Sequence, residues 1–298
     1  MTYDDDDLSD DLSDDQSNEG ELESVEVRYE VVEFNLEAGT NDFYEDPEYY
    51  AYEFKDRRED VRFYGERYLS VSGWSLEIGV GTARIALPAA RKGAKIVGLD
   101  LHQGMLDAAE RRRQTLAKSK RGLLRLVHGD MRDFDLGERF ELITCPFNAL
   151  QHMYTHADVS AALERVKAHL APGGRFIFDV LFPDLEYLNR PAFQRFKGVN
   201  FKHPTWGATY NYSERSAYDP VQQLNHMFLE YERVEPPIGE PSSAPETHQI
   251  QLSHRYFFPQ ELDLILANAG LRVIERFGDF EGAPVGQGES MVMVCERA

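Results

Sequence analysis

Between residues 75 and 181, five short apolar strands alternate with helical stretches, and this alternation limits the fold more than any other feature of the chain. Residues 76–78, 95–99, 124–127, 141–145 and 175–181 read as strands, each short, apolar and bounded by glycine, proline or charge. Met105, Leu106, Ala109 and Leu116 mark one helix face; Val159, Ala162, Leu163, Val166 and Leu170 mark another. Thr155 and Asp158 form a capping pair ahead of that second helix, and Pro172-Gly173-Gly174 closes it. A helical run over 82–91 contains Pro88, so its helix must begin late or kink. Consecutive parallel strands need helical crossovers on both faces, so the predicted class is α/β with a doubly wound, Rossmann-like sheet.

The rhythm breaks after residue 185. Residues 208–212, 227–234 and 250–257 are strand-like, with a proline-rich turn at 236–245, which predicts an antiparallel β lid inserted after strand five. Helical spacing resumes at Pro259 and two final strands, 271–274 and 291–295, bring the sheet to seven. The expected segments are an acidic, disordered tail (1–40), an aromatic cap (41–70), a core (71–185), the lid (186–258) and a closing helix with two strands (259–298).

Charge narrows the function. Residues 1–24 hold eight Asp and three Glu with no Lys or Arg, and the remainder carries 41 acids against 32 bases. Such a body repels a phosphate backbone, so nucleic acid is not the expected partner. Cys145 and Cys295 form neither a disulfide framework nor a metal motif. No apolar run reaches the ~18 residues of a membrane span, and no basic-then-apolar leader is visible. The expectation is a cytoplasmic protein with no membrane span and no metal.

In open parallel sheets, ligands sit beyond the carboxyl ends of the strands. Glu77-Ile78-Gly79-Val80-Gly81-Thr82 follows strand one, where glycines admit a ligand close to the backbone. The dinucleotide pattern G-x-G-x-x-G fails at Arg84, which disfavours a nicotinamide cofactor. Asp100 follows strand two, 21 residues after Gly79, where an acid accepts hydrogen bonds from a ribose diol; the competing reading is a helix cap. Asp130 can accept from an exocyclic amine while Met131 packs on a purine face. After strand four, Pro146 and Phe147 make a wall, with Asn148 and His152 nearby.

The segments LEIGVGTARIALPAA, VGLDLHQGMLDAA, HGDMRDF, FELITCPFNALQHMYT and HLAPGGRFIFDV resemble, in order and spacing, the class I S-adenosylmethionine-dependent methyltransferases. The resemblance covers about residues 46–185 and returns at 256–298. It implies that Glu77, Gly79 and Gly81, with Thr82, hold the methionine part of S-adenosyl-L-methionine, whose product is S-adenosyl-L-homocysteine. It further implies that Asp100 takes the ribose hydroxyls beside Leu101 and Met105, that Asp130 and Met131 read the adenine, and that Pro146 and Phe147 border the cofactor. Ala83 departs from a position where the family often has glycine; alanine is small and helix-compatible, so cofactor binding is expected to survive. Tyr49 and Tyr52 are expected to close over the cofactor, as the corresponding cap does in related enzymes.

The PFN-x-L-x-H block and the lid look like those of small-molecule enzymes, including glycine, sugar-amine and natural-product N-methyltransferases. The N/D-P-P-Y/F block of base-amine enzymes is missing its second proline here. The expected reaction is in-line SN2 methyl transfer to an amine of a small-molecule acceptor, with His152 and Asn148 as catalytic candidates. Hydroxyl transfer with His152 as base is the alternative, and a cofactor-binding protein without catalysis is a third reading. Tyr210, Tyr212 and His226 are candidate acceptor contacts. Such a lid is as able to pair across a homodimer as to cover its own pocket.

Overall fold

The computed structural model describes residues 34–234 and 246–298. The acidic run over 1–24 and the proline-rich turn at 236–245, apart from its neighbours 234 and 246, lie outside the described residues. In chain order the strands are β1 (Trp74–Ile78), β2 (Lys95–Asp100), β3 (Leu124–His128), β4 (Phe140–Cys145), β5 (Leu170–Leu181), β6 (Phe196–Lys202), β7 (Thr209–Asp219), β8 (Leu224–Arg233), β9 (Thr247–Arg255), β10 (Leu271–Phe277) and β11 (Ser290–Arg297).

Seven of them form one sheet in the order β3-β2-β1-β4-β5-β11-β10. Its first five strands are parallel, and β11 runs antiparallel to both β5 and β10. The chain steps outward from β1 to β2 and β3, then returns to place β4 on the other side of β1. That reversal opens a crevice over the carboxyl ends of β1 and β4. Leu76, Ile143, Phe176 and Phe178 are fully buried, as both-face coverage demands. Each such side chain stabilises the fold by about 1.5–3 kcal/mol.

The helix expected over 82–91 begins late, at Ala86, and ends at Gly93 with φ 121°. Pro88 thereby falls in the first turn, where its missing N–H costs nothing. The next-to-last crossover helix, His156–His169, carries the full Thr155–Asp158 capping box. It stops before the Pro172-Gly173-Gly174 signal because β5 begins pairing at Leu170, opposite Phe140, with a bulge before Leu142. Proline holds its predecessor extended, and Gly173 with φ 73° absorbs the irregularity.

The inserted sheet is antiparallel in the order β6-β7-β8-β9. Three of its strands match the expectation; β6 does not appear in it, since Gly198 and Asn200 dilute the strand pattern. The tail was expected to reach residue 40, but Leu36–Asn41 is a helix, capped by the Asn35 side chain accepting from Glu37 and Ala38 N–H groups. A 3₁₀ turn, Asp42–Tyr44, and a helix, Pro47–Glu53, follow. Asp46 accepts from Tyr49 N–H and Pro47 opens that helix. No helix among the described residues is long and apolar enough to cross a membrane.

Candidate active site

At the end of β1 the chain turns through Gly79 (φ 72°) and Gly81 (φ 53°). The turn is fastened to β2, with Gly79 and Val80 N–H groups both donating to Leu99 O at 2.8 and 3.0 Å. A Cβ on Gly79 would lie 2.8 Å from the Ala149 methyl, so glycine is required by space as well as by conformation. Ala83 corrects the expectation of a helix-compatible alanine. It precedes the helix and adopts φ 58°, the left-handed conformation that explains why glycine suits this position.

Asp100 does not cap the following helix, whose N-cap is His102. Its Oδ2 accepts from Gly81 N–H at 2.7 Å and its Oδ1 from His102 N–H at 2.8 Å. It is almost wholly buried, and burial pushes its carboxyl above the usual range. A carboxylate offers about four lone pairs, so each oxygen retains one for a further donor. Asp130 accepts from the Arg132 backbone N–H (2.8 Å) and from its guanidinium, with Nη2 at 2.6 Å, while Arg132 Nη1 reaches Asp158. Burial works to raise the Asp130 carboxyl, but the hydrogen bonds from Arg132 outweigh it and hold the group below its usual range.

The loop after β4 is backbone-strained. Phe147 (φ 56°) and Asn148 (φ 62°) are both left-handed. Asp179 on β5 holds them, accepting from Phe147 N–H at 2.9 Å, Asn148 N–H at 3.2 Å and Tyr64 O–H at 2.5 Å. The Asn148 side-chain oxygen is buried with no hydrogen-bond partner among the described residues. Farther along, His152 Nε2 lies 2.7 Å from the Tyr44 hydroxyl. Burial, with His254 and His102 nearby, depresses His152 well below the ordinary imidazole value. It is therefore neutral at physiological pH, and burial keeps Tyr44 protonated.

A cavity of about 360 Å³ occupies this crevice. Gly79, Gly81, Asp100, Leu101, Met105, Asp130, Met131, Pro146, Phe147 and His152 all line it. Glu77, Thr82 and Asn148 do not, and Tyr49 and Tyr52 line a second cavity. Glu77 accepts from Tyr68 O–H at 2.7 Å, and burial pushes its carboxyl up to about 8. Thr82 accepts from Arg112. From the cap, Asn41, Tyr44 and Tyr50 line the first cavity. Neither these tyrosines nor Asp179 was singled out from sequence; the clustering of aromatics was visible, but not which rings face inward.

The lining suits S-adenosylmethionine: carboxylates to accept from a diol and an exocyclic amine, apolar flanks at Leu101, Met105 and Met131, and a glycine turn open to close approach. The sheet order, with its inserted antiparallel sheet, is that of the Rossmann-like methyltransferase fold. Residues 76–174 match a family described as a methyltransferase domain. The chain is similar to the dTDP-3-amino-3,6-dideoxy-alpha-D-glucopyranose N,N-dimethyltransferase of Streptomyces fradiae, 38% identical over 99 residues. That match covers 33% of this chain and 36% of the relative, so the chain spans little more than a third of it. It is 28% identical to the dTDP-4-amino-2,3,4,6-tetradeoxy-D-glucose N,N-dimethyltransferase of Saccharopolyspora spinosa, over 65% of this chain and 68% of the other. The structure of the CcbJ methyltransferase from Streptomyces caelestis superposes with a TM-score of 0.68 at 23% identity, covering 81% of this chain and 90% of that one.

Proposed function

We propose that the protein transfers a methyl group from S-adenosylmethionine to a neutral amine of a small molecule. The observation that carries this reading is the neutral Tyr44–His152 pair on the wall of the cofactor cavity. The bound cofactor supplies an activated methyl on a sulfonium; the protein's work is alignment and exclusion of water. Asp100, braced by Gly81 and His102, presents its free lone pairs to the ribose. Asp130 and Met131 read the adenine, and Pro146 and Phe147 wall the reacting end. Tyr44 and His152 offer hydrogen bonds to the acceptor nitrogen without adding charge beside a cation.

The choice of amine over hydroxyl follows from the same imidazole. A hydroxyl acceptor needs a base during transfer, and His152, depressed by burial, is a weak one. An amine reacts through its own lone pair and loses its proton afterwards. The activities of the two relatives named above, both N,N-dimethyltransferases, support the amine reading. Two buried free thiols are compatible with the cytoplasm, where we place the protein. Pairing of two copies through the inserted sheet, whose outer strands are β6 and β9, is also proposed; light scattering on the eluted protein decides it.

The test is product detection by mass spectrometry after incubation with S-adenosylmethionine and matched amine and hydroxyl acceptors. Methylated amines support the proposal. Exclusive turnover of hydroxyls would reverse the assignment, and binding of cofactor with no turnover of either class would favour the non-catalytic reading.

A further inference from the structure

A second cavity, also about 360 Å³, lies between the helix Pro47–Glu53 and one face of the inserted sheet. Its walls are aromatic and aliphatic: Tyr49, Phe201 and Tyr231 are among them, with Val199 largely exposed. Two carboxylates also line it, Glu53 on the exposed helix end and Glu214 on β7. Glu214 is fixed in place, its Oε1 accepting from Tyr187 O–H at 3.2 Å and its Oε2 from Tyr212 O–H at 3.0 Å. None of the described residues lining it is a lysine or arginine. Beside it, the Lys55 ammonium stands 3.7 Å from the centre of the Tyr52 ring, so that aromatic face already receives a cation.

The two cavities share a wall. Phe54, lining the second, packs edge-on against Phe147, lining the first, at 4.7 Å. Phe43 lines the second and contacts Tyr44 and Tyr50 of the first. In the first cavity the lining arginine, Arg132, is committed to Asp130 and Asp158. Neither space therefore offers an uncommitted guanidinium or ammonium among its described lining residues, which a diphosphate would need.

We propose that the second cavity binds a protonated, apolar-framed organic amine. Aromatic faces desolvate the frame while Glu53 and Glu214 complement the ammonium. This inference stands on the second cavity alone and does not depend on the methyltransferase reading of the first.

The test is calorimetric titration of the full chain with tryptamine and with its neutral counterpart tryptophol, with and without saturating S-adenosylhomocysteine. Tryptamine is expected to bind about tenfold or more tightly than tryptophol. Glu53→Gln with Glu214→Gln should remove that preference, and Val199→Trp should block both ligands, each with S-adenosylhomocysteine affinity unchanged. Equal affinities for tryptamine and tryptophol, or a preference indifferent to both glutamates, would overturn the proposal. So would tighter binding of a nucleoside diphosphate-linked amine. If S-adenosylhomocysteine itself fails to bind, the cofactor reading falls, while the ratio measured without it still decides this one.

Discussion

The hydroxyl of Tyr44 meets Nε2 of His152 at 2.7 Å, joining the cap that precedes β1 to the loop that follows β4. Tyr44 also stacks on His102, with ring centres 5.1 Å apart, so one side chain links three segments around the cofactor cavity. Removing its hydroxyl in Tyr44→Phe leaves a buried imidazole nitrogen without this partner. One such hydrogen bond contributes about 1 kcal/mol, which corresponds to roughly a five- to tenfold loss of kcat/KM for the acceptor. Steady-state kinetics should show that loss with S-adenosylhomocysteine affinity preserved by calorimetry. Unaltered kinetics would reduce the pair to a structural contact.

Asp100 supports a second prediction. Asp100→Ala removes the acceptor of two backbone N–H groups together with the lone pairs assigned to the ribose. Cofactor affinity should fall by about 1–3 kcal/mol, or roughly five- to 150-fold, measured with S-adenosylhomocysteine. Full affinity in a folded variant would reject the ribose role.

Glu77 carries a pH prediction. Its carboxyl is raised by burial from an ordinary 4.5 to about 8, so the folded protein keeps a proton that the unfolded chain has lost over that interval. Stability falls with rising pH wherever the unfolded state binds fewer protons. The contribution is fully present below pH 4.5 and is lost progressively as pH rises through about 8. Glu77→Gln can still accept from Tyr68 and has no proton to lose. Its melting temperature relative to the parent should therefore climb between pH 5 and 8. A constant offset across that range would show that Glu77 is ionised in the folded protein.

These residues also show what a sequence can and cannot disclose. The parallel sheet was legible because burial on both faces writes itself as short apolar runs, and the glycine turn and Asp100 because strand ends are where ligands sit. β6 was not, since Gly198 and Asn200 interrupt its strand pattern. Ala83 looked like an ordinary helical residue because conformation, unlike composition, leaves no mark at a single alanine. The cap's aromatics announced a packed segment, yet only the fold decides that Tyr44 and Tyr50 face the first cavity and Tyr49 and Tyr52 the second. Asp179 was hidden inside the apolar run of β5, although it acts on a loop some 30 residues earlier.

That last residue yields the most demanding prediction. Phe147 and Asn148 hold a left-handed backbone that costs about 1–2 kcal/mol per residue, and the Asp179 carboxylate compensates by accepting from both their N–H groups. Asp179→Ala leaves those donors and the Tyr64 hydroxyl without their acceptor, so the protein should lose about 2–4 kcal/mol of stability in urea unfolding. Asp179→Asn keeps one acceptor oxygen and sets an NH₂ against the other donor, so its loss should be smaller. In the Asn variant, released from its fixed course, the Phe147 wall should admit water and misalign the acceptor. The expected signature is a lower kcat with cofactor affinity nearly intact, because Gly79, Gly81 and Asp100 are untouched. Equal loss of cofactor affinity and turnover would mean that Asp179 supports the whole crevice rather than its reacting wall.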